Sequence, residues 1–419
     1  MQNNNTLRPA NSYAWVIVGV LFFGLVTTFG MRLSFGAYLI PWEKDFEASR
    51  TVVSAISFLG FIAFAFGQPL AGKLNDRFGK CVVPLASVIL ISACLLLTSR
   101  ATQIWQVFIL FGAGFSFGVA GCCNALASAI VAKWFVKKRG LALGITASGM
   151  AGGMLALVPL NLYMIERLGW RTTMAALGIV ILVTTAPLFI IFLRSKPEEK
   201  GMSPYGYTET DESCQTGADG AKEVKKAFTL KDILKSKTFW LIAAPYFVCG
   251  FSDVGFVPTH LIAMAEGKGF TGTTLTMAIS VVAISSFTGS ILSGHLSDLF
   301  NRRKQLAGLY LFRGLAYVFL IFVRQPWLLI PFAVAYGLVE MAGIAPVSSM
   351  TIQLFEGYST GTLLGIVTVS HQIGGAVGSW MPGIIYDLTG SYNGALIIVV
   401  VLIVGASLLT LRLPDMDAR

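Results

Sequence analysis

Charged side chains are scarce in this chain of 419 residues, of which only 12% are Asp, Glu, Lys or Arg. Soluble domains usually carry about 25%, so the charges are too few to cover the two or three soluble domains that this length would predict. Nucleic-acid binding does not explain the net charge of +10, because the basic residues form short clusters between long apolar runs. The composition therefore predicts a protein that crosses a lipid bilayer several times.

Catalytic and cofactor motifs are absent as well. The sequence has no Gly-x-x-x-x-Gly-Lys-Ser/Thr loop for ATP, no His-Glu-x-x-His pair and no cysteine pair with metal-ligand spacing. Five of the six cysteines lie in apolar runs and Cys214 lies in a polar segment, so we expect no disulfide framework. These absences predict a protein that is not an enzyme, holds no cofactor or metal, and is driven by an ion gradient or by substrate exchange.

Long apolar stretches make up most of the chain. A membrane-crossing helix needs about 20 largely apolar residues, whereas an outer-membrane barrel would show alternating segments of about 10 residues. Twelve stretches of the first kind lie at roughly 13–40, 51–71, 81–99, 104–132, 140–163, 172–193, 238–262, 273–293, 305–323, 327–352, 361–382 and 393–411. They predict an all-α membrane protein with twelve transmembrane helices.

The basic residues are distributed unequally between the connections of these helices. With the N-terminus inside, 22 of the 31 Lys and Arg residues fall on the cytoplasmic side and seven on the other side. Cytoplasmic loops are enriched in Lys and Arg, so both termini are expected in the cytoplasm. The predicted location is the cell (cytoplasmic or inner) membrane, which the chain crosses many times.

A polar stretch and a repeated loop divide the chain into two halves. Residues 196–237 are polar and form a predicted cytoplasmic linker between a six-helix half at 1–195 and a second at 238–419. A Gly-x-Leu-x-Asp loop recurs at the same place in each half. Its two copies are Gly72-Lys-Leu-Asn-Asp76-Arg77 and Gly294-His-Leu-Ser-Asp298, the second followed closely by Arg302.

This loop and the six-plus-six architecture resemble the major facilitator superfamily, and the resemblance covers nearly the whole chain. Narrower motifs resemble the monocarboxylate transporter and oxalate/formate antiporter branch of that family. They are Trp134-Phe-x-x-x-Arg139, His371-Gln-x-Gly-Gly and Asp387-x-Thr-Gly390. Two branch markers are missing: Ser286 and Ser290 stand where vertebrate-type carriers have an Asp and an Arg, and Val367 stands where oxalate carriers have a Lys.

The resemblance implies a secondary carrier of small organic anions that works by alternating access around a site between its halves. The predicted function is proton-coupled symport of a monocarboxylate. Efflux of drugs or metabolites and anion exchange stay open as alternatives within the same fold. The expected partners are a small carboxylate, protons and the lipid bilayer but no nucleic acid, and a monomer is presumed.

Four charged residues fall well inside the predicted spans, namely Arg32, Asp253, Arg313 and Glu340. Each charge near a bilayer centre costs about 2.5–3.5 kcal/mol on insertion scales, so each needs a partner or a function. Asp253 is a candidate for proton coupling, with a structural ion pair, for example to Arg32, and direct substrate contact as alternatives. For Arg313 and Glu340 a structural ion pair is expected, and Glu340 is alternatively a second proton carrier.

A substrate site is predicted around Arg32, because a guanidinium offers a planar pair of donors to a carboxylate. The alternative for Arg32 is a side chain that reaches outward to the membrane surface. Neutral side chains of other spans are expected to shape the site, although hydrogen bonding between helices is the alternative for Asn124 and helix packing for His371. The predicted substrate-binding set is Arg32, Asn124, Tyr246, Tyr336, His371 and Gln372.

Overall fold

Helices account for nearly all of the described chain. The computed structural model describes residues 8–9, 12–78, 81–207, 230–270, 272–355 and 360–414, without the side chains of 8, 9, 76, 230–232, 298 and 360–362. Arg8–Pro9 pairs in parallel with Met202–Ser203, and Phe135 bridges to Tyr205. These short pairings apart, the all-α prediction is confirmed.

The first eight α-helices form what we call the N-terminal helix set. Within it, a π-helical turn at Phe108–Phe115 joins α5 to α6. The α-helices are α1 Tyr13–Leu33, α2 Phe35–Asp45, α3 Arg50–Phe78, α4 Val82–Thr98, α5 Ile104–Val107, α6 Ser116–Ala120, α7 Asn124–Trp134 and α8 Arg139–Phe192. A 3-10 turn at Pro197–Lys200 follows.

The remaining helices follow a short α9 at Leu230–Lys235, and α10 to α17 form the C-terminal helix set. A π-helical turn at Phe251–Phe256 joins α10 to α11, and a 3-10 turn at Pro326–Leu328 precedes α14. The α-helices are α10 Lys237–Gly250, α11 Val257–Gly267, α12 Thr273–Leu299, α13 Arg302–Ile321, α14 Leu329–Glu340, α15 Ile344–Leu354, α16 Thr360–Thr389 and α17 Asn393–Thr410.

Nine helical segments of the described chain are long and apolar enough to cross a membrane. Val82–Thr98 is a shorter apolar helix of 17 residues, and α16 has 30 residues. The expected fifth and sixth spans lie in the single 54-residue α8, which bends where Gly169 has a φ of 77°. A positive φ is open to glycine at little cost because it has no Cβ, so Gly169 permits the change of direction.

The expected fourth span is not one continuous helix. The chain leaves the helical conformation between α6 and α7, where Cys123 is extended at φ −70° and ψ 160°, and α7 begins at Asn124. Non-helical backbone at membrane depth is tolerated only where it is buried in protein or lines a cavity. Cys123 is 4% exposed, in agreement with this rule.

Small residues allow close helix contacts within each set, as expected for helices in lipid. A Cβ placed on Gly30 of α1 would lie 2.6 Å from the carbonyl oxygen of Gly153 in α8. In the C-terminal set, a Cβ on Gly255 would lie 2.6 Å from the carbonyl oxygen of Gly375 in α16. Any larger residue at these positions would force the helices apart.

The two helix sets meet along α3 with α16, α2 with α11, and α8 with α12. Some of these contacts lie near the start of α3, which we call the Arg50 end of the molecule. There Phe58 packs on Trp380 with ring centroids 5.4 Å apart, and a Cβ on Gly383 would lie 2.8 Å from the Ser54 hydroxyl. At the opposite end, a Cβ on Gly365 of α16 would meet no described neighbour within 4 Å.

Candidate functional site

Four of the described buried ionisable side chains form one cluster inside the C-terminal set. Arg313 is 1% exposed, Glu340 4%, Asp253 5% and His371 7%. They come from α13, from the end of α14, from the π-helical turn at Phe251–Phe256, which is the one meant below, and from α16. The structure therefore brings together three charged residues that the sequence places in three different spans.

Asp253 is at the centre of this cluster. His371 Nε2 lies 3.3 Å from its Oδ2, and Arg313 Nη1 lies 3.8 Å from the same oxygen. The Cys249 thiol donates to Oδ2 at 3.3 Å, and the Val254 backbone N–H donates to Oδ1 at 2.5 Å. The carboxylate thus has two cationic or potentially cationic neighbours, which offset the cost of burying its charge.

Arg313 does not form the expected ion pair with the Glu340 carboxylate. Its Nη2 donates to the backbone carbonyls of Val339 and Glu340, at 2.5 and 2.9 Å. Because α14 ends at Glu340, carbonyls of its last turn lack partners within the helix, and a cation at that end also meets the negative pole of the helix dipole. The Glu340 carboxylate instead accepts a short hydrogen bond from Ser286 of α12.

The hydrogen bonds of Nη1, the second terminal nitrogen of Arg313, direct the guanidinium toward Asp253. Nη1 donates to Cys249 Sγ at 3.1 Å and to the Ser252 hydroxyl at 3.2 Å. Both acceptors lie within four residues of Asp253, so the guanidinium ties α13 to the π-helical turn. Arg32, the cation that sequence alone offered as an ion-pair alternative for Asp253, contacts other groups.

Two tyrosines hold the backbone of the π-helical turn. A π-helical turn shifts the helical hydrogen-bond register, and such turns are frequent at functional sites. The Tyr336 hydroxyl donates to the Asp253 carbonyl at 2.9 Å, and the Tyr317 hydroxyl donates to the Ser252 carbonyl. Tyr336 is fully buried at 0% exposure, so its hydroxyl is engaged with the turn, and its place in the substrate-binding set stays a prediction.

Tyr246 and His371 form the side of the cluster on α10 and α16. Their ring centroids are 4.5 Å apart at an angle of 39°. This contact orients the His371 ring, whose Nε2 is directed to Asp253. The structure thus joins His371, predicted as part of the substrate-binding set, to the group predicted to couple to protons.

Arg32 lies in the last turn of α1, in the N-terminal helix set. Its guanidinium stacks 3.7 Å from the Phe64 ring centroid and 4.8 Å from that of Phe61. Its Nη2 lies 3.5 Å from Oε1 of Gln372, which belongs to α16 of the opposite set. Among the described side chains, no carboxylate lies within ion-pair distance of Arg32, although the residue is partly buried.

Asn124 begins α7 directly after the break in the fourth expected span. Its Oδ1 is buried and has no hydrogen-bond partner among the described residues. The preceding residue, Cys123, lies in the neighbourhood of the Arg32 guanidinium. Arg32 and Gln372 form a second group of polar side chains, at a contact between the two helix sets, and no described contact joins Asn124 to them.

A metal ion was not expected from the sequence, yet three possible ligand atoms lie close together in the first cluster. Sγ of Cys249, a carboxylate oxygen of Asp253 and a ring nitrogen of His371 are all within 4.8 Å of one another. The Arg313 guanidinium donates to the same Sγ at 3.1 Å. Its positive charge would repel a divalent cation at this point, so the donors fit an ion-pair network better than a metal.

The repeated loop is described in part. Arg302 donates from Nε to the Ser297 carbonyl at 3.1 Å and so ties the start of α13 to the end of α12. Arg77 stacks loosely on Phe78, with Cζ 5.7 Å from the ring centroid. Gly72 and Gly294 have open space where a Cβ would be, while the side chains of Asp76 and Asp298 lie outside the described residues.

Comparisons with known proteins agree with this architecture. A family model of the Major Facilitator Superfamily matches residues 20–262 and 246–419. The uncharacterized MFS-type transporter YcxA of Bacillus subtilis is 25% identical over 96% of this chain and 95% of its own length. Monocarboxylate transporter 13 of Rattus norvegicus is 25% identical over 98% and 91%, and human monocarboxylate transporter 12 is 23% identical over 94% and 79%.

Solved structures show the same fold. A bacterial homologue of the human lysosomal transporter Spinster, in its inward-facing and occupied conformation, covers 95% of this chain with a TM-score of 0.74 and 16% identity. The unoccupied form covers 96% with a TM-score of 0.72.

Fold and sequence together define a multi-pass membrane transporter and not an enzyme. The chain belongs to the Major Facilitator Superfamily, and the resemblance to its monocarboxylate transporters is confirmed by the relatives that carry that name.

Proposed function

We propose that this carrier moves a small monocarboxylate together with a proton across the cell membrane by alternating access. In this proposal, twelve helices cross the membrane with both termini in the cytoplasm. The halves are residues 1–195 and 238–419, and residues 196–237 link them. The similarity to proteins named monocarboxylate transporters supports the substrate class.

The observation that carries the proposal is the state of Arg32. A guanidinium stays charged in proteins, and here it is partly buried and stacked on Phe64, and its hydrogen-bonding neighbour among the described side chains is the neutral Gln372 of the opposite set. A substrate carboxylate would supply the missing negative charge in a bidentate contact. Arg313, the other cation well inside a predicted span, is already paired with Asp253, so one anchoring cation favours a monocarboxylate over a dicarboxylate.

Proton coupling is assigned to Asp253 together with His371. His371 Nε2 lies 3.3 Å from the Asp253 carboxylate, and histidine is the side chain whose charge changes most readily near neutral pH. Because Arg313 balances the charge of Asp253, a proton on His371 would add one net positive charge to the cluster. The reserve candidate is Glu340, whose carboxylate contacts the Ser286 hydroxyl and no cation among the described side chains.

The test is uptake into proteoliposomes that contain the purified carrier. Labelled lactate, pyruvate, acetate, glycolate and oxalate are compared with and without an inward proton gradient. We expect gradient-dependent accumulation of a monocarboxylate, loss of uptake in Arg32→Gln, and parental uptake in the control Arg100→Gln, which removes an exposed guanidinium. Parental uptake by a folded Arg32→Gln would refute the anchoring role.

The alternative functions give different results in the same vesicles. Exchange would appear as uptake that requires the same anion inside and ignores the proton gradient. Efflux of drugs or metabolites would appear as binding of bulky compounds without transport of small acids. Either result would be compatible with the family assignment but would contradict the proposed substrate or the proposed proton coupling.

A further inference from the structure

The N-terminus of α3 is bound by a residue of the opposite helix set. The first N–H groups of any α-helix have no partner within the helix. Here the backbone N–H of Arg50 donates to Asp387 Oδ1 at 3.2 Å, and that of Thr51 donates to Oδ2 at 2.8 Å. Asp387 belongs to α16, whereas Ser49, directly before α3 in the chain, contacts the Val52 N–H at 3.4 Å.

The side chain of Arg50 extends the same contact. Its Nε and Nη2 donate to both carboxylate oxygens of Glu43 in its own set, at 2.6 and 2.8 Å. Its Nη1 donates to the Tyr392 hydroxyl at 3.1 Å, and its Cζ lies 3.9 Å from the Tyr386 ring centroid. Glu43 thus holds the guanidinium in place while two aromatic side chains of the C-terminal set receive it.

Tyr392 connects this contact to the interior of the C-terminal set. Its hydroxyl lies 3.1 Å from His260 Nδ1, and His260 Nε2 lies 2.7 Å from the Ser379 carbonyl of α16. Both residues are buried, at 5% and 0% exposure. The receiving side of the contact is therefore a packed and hydrogen-bonded group rather than a pair of loose surface side chains.

We infer that Asp387, Arg50, Tyr386 and Tyr392 form a latch between the helix sets that favours the conformation closed at the Arg50 end. A helix cap and a stacked guanidinium that exist only while the sets touch here contribute to that conformation and to no other. Removing these contacts shifts the equilibrium between the two conformations by the free energy that the contacts contribute to the closed one. In this structure the helix cap and the stacked guanidinium are both formed, so the structure represents the state that the latch holds.

Maleimide labelling of engineered cysteines tests the latch without any substrate, so its failure is separate from failure of the proposed function. Ser54→Cys reports on the Arg50 end, because Ser54 is 0% exposed at the contact of α3 with α16. Gly365→Cys reports on the opposite end, two helical turns from Gln372 on the same face of α16. The five native cysteines described are buried, and Cys214→Ser is added to both reporters.

The change is Asp387→Ala, which removes both acceptors of the α3 cap. Loss of a helix cap shifts an equilibrium by about fivefold. We expect a membrane-impermeant maleimide to label Ser54→Cys about fivefold faster, and Gly365→Cys to label more slowly from its own side. Asp387→Asn retains one acceptor oxygen and should give a smaller shift in the same directions, and it serves also if the alanine variant does not accumulate.

The control is Asp45→Ala, which breaks an exposed ion pair with Arg171 at 2.6 Å within the N-terminal set. It removes an acidic residue at the same end without touching a contact between the sets, so labelling of both reporters should stay parental. Unchanged labelling in Asp387→Ala would overturn the latch. Faster labelling at both ends would also overturn it, because that result means local loosening and not a shift between conformations.

Discussion

Replacement of Arg313 by methionine tests whether the buried cluster is the ion-pair network that the structure shows. The change leaves Asp253 without its guanidinium partner and removes four hydrogen bonds, to Cys249, Ser252 and the carbonyls of Val339 and Glu340. Breaking a buried ion pair by removal of one partner destabilises proteins by about 3–5 kcal/mol. We expect a loss of this size in the free energy of unfolding for Arg313→Met.

The double variant separates charge from packing. In Arg313→Met/Asp253→Asn no unpaired carboxylate remains, so about 2 kcal/mol of the loss should return, as expected for residues that share one network. The measurement is denaturant unfolding in detergent micelles, with the fluorescence of the eight tryptophans as the signal. Arg324→Met is the control, because Arg324 is exposed and such surface changes stay within about 0.5 kcal/mol. Equal effects of Arg313→Met and Arg324→Met would refute the network.

Three further predictions concern coupling and packing. His371→Gln should abolish accumulation driven by a proton gradient while exchange of labelled for unlabelled substrate continues, and loss of both activities would contradict the coupling role. Ser286→Ala should reduce the pH sensitivity of uptake if Glu340 is the proton carrier, and an unchanged pH profile would leave the role to His371 and Asp253. Gly374→Val should lower the unfolding temperature strongly, because even a Cβ there would overlap the Phe247 carbonyl, while Gly405→Ala, with open space around it, should not.

The sequence predicted the positions of the helices and of the buried charges better than their partners. Apolar length and glycine content indicate helices packed closely in lipid, and Gly30 against Gly153 is an example of such packing. Arg313 was recognised as a charge that needs compensation. The expected partner was the Glu340 carboxylate, whereas the structure pairs Arg313 with Asp253. The choice between the two depends on where α14 ends and on the register of the π-helical turn. Neither feature has a signal in a periodic apolar pattern.

The contacts of Tyr336 and Asp387 are two further examples that the sequence did not indicate. Tyr336 was expected to shape a substrate site because it is a polar side chain one turn from Glu340, but its hydroxyl is bound to the backbone carbonyl of Asp253. Asp387 was noticed only as part of a family motif, yet it caps a helix more than 300 residues away in the chain. Contacts of this kind depend on tertiary structure, and spacing along one helix cannot indicate them.

Adjacent residues of α16 connect the two groups of polar side chains. His371 contacts Asp253 inside the C-terminal set, and Gln372 contacts Arg32 of the N-terminal set. Successive residues of an α-helix are about 100° apart, so one turn of α16 faces both groups at once. A rotation or shift of α16 must therefore change the surroundings of Arg32 and of Asp253 together. In the proposed function, this shared helix is what makes the binding of a carboxylate at Arg32 depend on the protonation of the Asp253–His371 pair.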